Sequence, residues 1–362
     1  MKKIIICWVL ILAGLTLPAQ EKGISYTEAT DLTIVGKVFP DTPNPYERMD
    51  FVRFGGWDKT DINLLQMSSG IIVSFKTDAS EIWVKPDFKE ISQANTSGFA
   101  TRGFDLYIKR DGKWLWAGAV SYGHDKEREN LRPLAVVSNM DKGPKECILY
   151  LPTYSKLASV KIGVPDGSSL EKGDVPFRHR ICLHGSSFMH GASTGRAGQT
   201  VPGYLTRSTG LQFCSLGVSG DCYMQPQFAE ALKHADVDAF VFDSFSNGNY
   251  KTVNENLFKF IETIQSGKPG VPMIFMGTIW RERRNFDRRQ DEAESSKIAM
   301  ADSLMKIAVK KYKDVYYIPS NATSDSHETT VDGVHPGSWG YQLWAESVRK
   351  PILRILRKYG IK

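Results

Sequence analysis

Apolar and polar positions alternate in short runs from Ile24 to about Val164, with Ile82 and Val84 set against Glu81 and Trp83. The runs Leu32–Val38, Ile71–Lys76, Glu81–Lys85, Phe104–Lys109, Trp114–Val120, Glu146–Leu151 and Ser159–Val164 are rich in β-branched and aromatic residues. That period and composition predict strands. The tetrad Arg110-Asp111-Gly112-Lys113 between two of the runs is a hairpin signal. Residues 20–164 are therefore expected to form an all-β antiparallel sandwich.

The pattern then changes. Residues 165–176 are polar, carry Gly and Pro and have no period of their own, so they are read as a linker. From residue 177 to 362 nearly all-apolar strands alternate with amphipathic helices. Strands are expected at Arg180–Leu183, Leu211–Leu216, Ala239–Phe245, Val271–Gly277 and Val315–Pro319. Helices are expected at Thr200–Ser208, Pro226–His234, Val253–Gln265, Asp291–Tyr312 and Trp339–Tyr359. Strands without a polar face belong to a parallel sheet covered on both sides, which predicts a three-layer α/β domain with its site at the carboxyl ends of the strands.

A length of 362 residues agrees with two domains, and 41% hydrophobic with 24% charged residues is a globular composition. Residues 1–19 read as a signal peptide: Lys2 and Lys3, an apolar segment from Ile4 to Leu15, and a small residue at Ala19. The expectation is a secreted or periplasmic protein with no membrane association once the signal is removed. Cleavage would lower the formal charge from +6 to +4, leaving 44 basic against 40 acidic residues. That mild, dispersed excess gives no support for nucleic-acid binding. Arg281, Arg283, Arg284, Arg288 and Arg289 are offset by Glu282, Asp287, Asp291, Glu292 and Glu294, and the cluster is read as a solvated loop and helix start. Cys147, Cys182, Cys214 and Cys222 fit no zinc spacing; Cys214 and Cys222 bracket a Gly-bearing turn, and their pairing stays open.

Four segments fall at predicted strand ends or just before the last helix. Leu183–Ser193 (LHGSSFMHGAS) places Ser187 in a turn directly after the first strand. Leu216-Gly217-Val218-Ser219-Gly220-Asp221 lets a backbone N–H approach a ligand. Phe245-Ser246-Asn247-Gly248-Asn249 offers the Asn247 amide as a donor. Thr330–Pro336 holds Asp332 and His335 around Gly333, close enough for a carboxylate to fix an imidazole tautomer. Each segment alone reads as an ordinary turn.

In order and together, Gly185-Ser186-Ser187, Ser219-Gly220, Phe245-Ser246-Asn247 and Asp332-Gly333-Val334-His335 resemble the four blocks of the SGNH (GDSL-type) hydrolase superfamily. Gly103-Phe104-Asp105-Leu106-Tyr107 is similar to the Gly-x-Asp-Leu-Tyr motif of an amino-terminal β domain in one branch of it. Gly195-Arg196-Ala197-Gly198 and Asp243 also resemble that branch. Ser186 stands where many relatives have Asp, and Phe245 where the third block commonly has Gly.

The resemblance implies a flavodoxin-like αβα domain and a carboxylic ester hydrolase. Ser187 would be the nucleophile, His335 the general base and Asp332 its orienter. The Ser187 and Gly220 N–H groups and the Asn247 side chain would form an oxyanion hole, with no metal or cofactor. The expected substrate is a short-acyl, acetyl-type ester on a carbohydrate or small molecule. Alternatives are a lipid or aryl ester hydrolase, or a non-catalytic carbohydrate-binding protein on the same fold. The oligomeric state is not legible.

Overall fold

A computed structural model describes residues 23–92, 96–123 and 131–362; the signal-peptide reading lies outside these residues. The amino-terminal half contains β1 (Ile24–Glu28), β2 (Thr33–Val35), β3 (Ile72–Thr77), β4 (Ile82–Glu90), β5 (Gly103–Arg110), β6 (Lys113–Ser121), β7 (Leu134–Val137), β8 (Lys145–Tyr150), β9 (Lys156–Pro165) and β10 (Leu170–Lys172). Two short helices interrupt them, α1 (Lys59–Leu65) and α2 (Gly98–Thr101). The strands form two antiparallel sheets, one ordered β1-β9-β4-β7, the other β10-β3-β8-β5-β6 with β2 also on β3. The predicted hairpin joins β5 to β6, with Arg110 paired to Lys113.

Alternation explains how the sheets face each other. Ile82, Val84 and Phe88 of β4 and Leu157, Val160 and Ile162 of β9 share a core with Phe75, Phe104, Leu106, Cys147 and Leu149 of the other sheet. Burying each such side chain contributes roughly 1.5–3 kcal/mol. In β8 the intervening residues Ile148 and Tyr150 are buried too, because the outer face of this sheet packs on Phe177 and Ala197 from the second half of the chain.

The second half carries β11 (Arg178–Gly185), β12 (Leu211–Gly217), β13 (Ala239–Asp243), β14 (Met273–Met276) and β15 (Val315–Ile318). With them run α3 (Ser187–His190), α4 (Val201–Thr209), α5 (Pro226–Leu232), α6 (Tyr250–Gly267), α7 (Arg288–Lys311) and α8 (Ser338–Leu356). The five strands pair in parallel in the order β12-β11-β13-β14-β15. Cys182, Leu216, Phe240, Phe242 and Phe275 pack on one face with residues of α5, α6 and α7. Ile181, Leu183, Phe213, Val241 and Ile274 pack on the other with residues of α4 and α8. This is the three-layer arrangement the apolar strands predict, and the strand order reverses direction between β11 and β13.

Two findings depart from the sequence reading. The 165–176 segment is not without structure: β9 runs to Pro165, and β10 pairs with Phe75, Lys76 and Thr77 of β3. Its Leu-Glu-Lys run carries no apolar period because main-chain pairing at a sheet edge holds it. Secondly, Val38, Phe39, Met49, Leu64, Leu65 and Met67 lie in the core of the parallel-sheet half although they precede β3 in sequence.

Candidate active site

Gly185, at the end of β11, is in register with Gly217 of β12 on one side and Asp243 of β13 on the other. Ser187, Gly220 and Asn247 follow those three residues by two, three and four positions. Parallel pairing thus brings three of the predicted segments to one edge of the sheet, at its switch point.

Ser186 begins the turn that carries Ser187. Its hydroxyl donates to Asp243 Oδ2 at 2.7 Å and accepts from the Phe188 N–H at 3.2 Å, capping α3. Asp243 is fully buried; its Oδ2 also accepts the Ser186 N–H at 3.3 Å, and its Oδ1 accepts from Ser246. Burial pushes the Asp243 carboxyl above the usual carboxylate range, against the lowering pull of these hydrogen bonds. One carboxylate therefore fixes the residue before Ser187 and the residue before Asn247. Glycine is required at 217, where a Cβ would stand 2.1 Å from the His190 N. That lets α3 lie directly against β12.

Ser187 Oγ lies 2.9 Å from His335 Nε2, and His335 Nδ1 lies 2.8 Å from Asp332 Oδ2. The other Asp332 oxygen accepts the N–H of Val334 at 2.9 Å and of His335 at 2.7 Å. Burial would raise the Asp332 carboxyl, but the hydrogen bonds from His335 and Val334 outweigh it and hold it below its ordinary value. In this geometry Nδ1–H donates to Asp332, leaving Nε2 with a lone pair for the serine proton.

The loop bearing this pair closes on itself through Val331 N–H to His335 O (2.9 Å) and Gly337 N–H to Thr329 O (2.8 Å). Beneath it Glu282 accepts from the N–H and hydroxyl of both Thr329 and Thr330 at 2.6–3.1 Å. Burial works against the Glu282 charge, but these donors overcome it and bring the carboxyl down to about 2.

Three donors of the predicted segments are left open. Asn247 Oδ1 accepts the Cys222 N–H at 3.3 Å, and among the described residues its Nδ2 has no protein acceptor. The same holds for the N–H groups of Ser187 and Gly220, the latter in a left-handed turn with φ +74. The β half of the chain supports this loop. Tyr154 OH lies 2.6 Å from Ser219 Oγ, next to Gly220. Fully buried Arg48 donates to Gly217 O at 2.8 Å and to the carbonyls of Met67 and Leu64; burial lowers its pKa to about 9. The Tyr154 ring stacks at 4.1 Å on His190, whose Nε2 donates to Thr153 O at 2.9 Å, and burial holds that imidazole neutral.

The motif that resembles the β-domain signature serves as a latch. Asp105, fully buried, accepts from Trp116 Nε1 (3.0 Å), Arg196 Nε (3.2 Å) and the Gly198 N–H (3.0 Å). It therefore joins the Gly103–Tyr107 segment to the Gly195–Gly198 segment.

Sequence reading missed Glu282, Tyr154, Arg48 and the Ser186–Asp243 contact. It also placed the whole arginine cluster in solvent, which holds for Arg283, Asp287, Arg288, Arg289 and Glu292 but not for Arg281, Glu282, Arg284 and Glu294, which are buried. Arg281 pairs with Glu294 at 2.8 Å and donates to Ser246 O, and Arg284 pairs with Asp291 at 2.7 Å. The charges of Arg281 and Glu294 compensate one another inside the fold, whereas Arg284 reaches from the interior to a half-exposed Asp291. Cys147, Cys182, Cys214 and Cys222 are free and buried, with Cys222 Sγ 3.6 Å from His184 Nε2.

A GDSL-like lipase/acylhydrolase family model matches residues 178–354, and a model of the GxDLY N-terminus of SGNH-hydrolase-type esterases matches residues 24–170. No curated protein sequence matches the chain. Among solved structures, a GDSL-like lipase from Bacteroides ovatus is 34% identical over 92% of this chain and 98% of its own, with a TM-score of 0.87. A salicylyl-acyltransferase from a tetracycline biosynthetic pathway is 20% identical over 92% and 97%, with a TM-score of 0.67. A family two carbohydrate esterase from Cellvibrio japonicus is 10% identical over 93% and 99%, with a TM-score of 0.58, and shares the fold. The chain belongs to the GDSL-like lipase/acylhydrolase family of ester hydrolases, with a GxDLY-type domain at its amino terminus.

Proposed function

We propose that this hydrolase is an exported serine esterase that removes short acyl groups, acetyl foremost, from carbohydrate. The observation that carries the reading is the hydrogen-bonded chain from Ser187 through His335 to Asp332. Ser187 Oγ attacks the acyl carbon while His335 Nε2 takes its proton. Asp332 stabilises the imidazolium, which then protonates the departing alkoxide. Water, activated by the same imidazole, releases the acid from the acyl-enzyme. The N–H groups of Ser187 and Gly220 and the Asn247 amide receive the oxyanion; each such donor is worth on the order of 100- to 1000-fold in turnover.

Carbohydrate as the carrier is supported by the fold shared with a carbohydrate esterase and by an exposed aromatic ring close in sequence to His335. Trp339 is half exposed four residues past His335, whereas the Trp280 ring is covered by Arg284 at 3.9 Å. Flat aromatic faces next to polar groups suit sugar rings. The aromatics of the β domain are less available: Trp57 packs on Phe51 and Phe228, and Arg196 covers the Trp116 ring at 4.6 Å.

The test is hydrolysis of p-nitrophenyl esters of graded chain length and acetate release from acetylated glycans. Ser187→Ala is expected to abolish turnover with its melting curve unchanged. Turnover retained in that variant would remove Ser187 from its role, and a preference for acyl chains of about eight carbons or more would replace the deacetylase reading with a lipid one.

A further inference from the structure

Behind the loop that carries Gly220, three carboxylates converge. Asp58 caps α1, Asp61 stands in its first turn, and Asp221 directly follows Gly220; one ligand oxygen of each lies within 4.8 Å of the other two. Asp58 is exposed and Asp221 half-buried, whereas Asp61 is fully buried. Asp61 Oδ2 accepts from Gln227 Nε2 at 3.0 Å, but Asp61 Oδ1, closed off from solvent, meets no donor among the described residues. Asp58 Oδ1 accepts the Asp61 N–H at 2.8 Å, and Asp221 Oδ1 accepts from Gln225 Nε2 at 3.1 Å.

Such an arrangement is costly as it stands. A buried anionic oxygen without a partner loses its hydration and receives nothing in return. The charges that face Asp61 in the cluster are those of Asp221 and Asp58. Only a shared proton or a cation relieves that repulsion. A proton joins two carboxylates; a divalent ion serves all three and occupies the orphaned oxygen.

The donors are all oxygen and mostly charged, which selects a hard cation. Oxygens bound at 2.3–2.6 Å to one Ca2+ lie at most about 5 Å apart, in keeping with the observed spacing, and the exposed Asp58 side leaves room for the water ligands that complete six to eight positions. We propose that Asp58, Asp61 and Asp221 form a Ca2+ site that ties the start of α1 to the residue after Gly220. The ion acts as a structural clamp, with no step of ester hydrolysis passing through it, so the proposal stands apart from the esterase reading.

The experiment uses the full-length protein, stripped with chelator and dialysed. Titration calorimetry with CaCl2 is expected to show one equivalent bound, and thermal melts a midpoint that rises with CaCl2, falls back with EDTA and responds less to MgCl2. Asp58→Asn, an exposed change that leaves the fold intact, is expected to weaken Ca2+ binding by about tenfold or more, as loss of a charged ligand does; Asp61→Asn is expected to abolish it. No heat and no midpoint shift in the stripped wild type up to about 10 mM Ca2+, beyond the range of weak extracellular sites, would overturn the site and assign the convergence to a shared proton. An undiminished response in Asp58→Asn would place the ion elsewhere. The wild-type titration and the Asp58→Asn comparison decide the matter even if Asp61→Asn does not fold.

Discussion

A residue that never touches the serine decides where the imidazole stands. Glu282 collects hydrogen bonds from both Thr329 and Thr330, and the loop it pins leads within two residues to Asp332. Its carboxyl is at about 2 in the folded protein against an ordinary 4.5. A depressed acid contributes stability that is complete above the unfolded value and lost as pH falls through the folded one. Glu282→Gln is therefore expected to lower stability by roughly 1–3 kcal/mol at pH 7. The gap to wild type should persist to about pH 5 and close progressively between 4.5 and about 2. Urea denaturation of both proteins over that range checks it, and a gap unaltered at pH 3 would contradict the assignment. Ser187, Asp332 and His335 were legible in the sequence because each sits in a short local pattern. Glu282 was not: it is 47 residues from Thr329 and lies in a charged run whose members look alike before folding separates the buried from the solvated.

At the scale of elements, the parallel strands were readable because helices cover both their faces, leaving few polar positions to confuse the period. α1 escaped notice as a seven-residue helix with only Ile62, Leu64 and Leu65 apolar, and β10 because an edge strand held by its main chain needs no apolar pattern. Neither was the reach of the turn after β8 visible. There Tyr154 crosses from the β half to Ser219, while Arg48 takes the Gly217 carbonyl, so the loop between β12 and α5 is held from outside its own domain. If Gly220 receives the oxyanion, loosening that loop costs transition-state stabilisation and leaves ground-state binding alone. Tyr154→Phe removes the hydroxyl and keeps the stack on His190. It is expected to lower kcat about tenfold, a fraction of what losing a whole donor costs, with KM little changed. Steady-state kinetics on p-nitrophenyl acetate decide it; an unchanged kcat, or a rise in KM alone, would mean that Tyr154 serves packing only.

For the molecule as a whole, the sequence suggests two units joined by a linker, and the packing shows why they need not be separable. Val38, Phe39, Met49, Leu64, Leu65 and Met67 fill the same core as Leu216, Phe228 and Phe242. The outer face of the β3-β8-β5 sheet is closed by Phe177 and Ala197. Asp105 adds a fully buried carboxylate whose partners Arg196 and Gly198 come from the other half. Breaking a buried pair of this kind by removing one member costs roughly 3–5 kcal/mol, and stripping from Leu216, Phe228 and Phe242 the six side chains that cover them costs at least as much again. Those losses match or exceed the whole stability of an ordinary domain, about 5–15 kcal/mol. A fragment of residues 177–362, although it holds Ser187, Gly220, Asn247, Asp332 and His335, is therefore expected to lack a cooperative melting transition and to show no esterase activity. The intact chain is expected to unfold in one transition. Near-ultraviolet circular dichroism and calorimetry of the two proteins make the comparison. A fragment that melts as sharply as the full chain would show the β half to be an accessory, and one that folds yet does not turn over would place its contribution in the loops held by Tyr154 and Arg48.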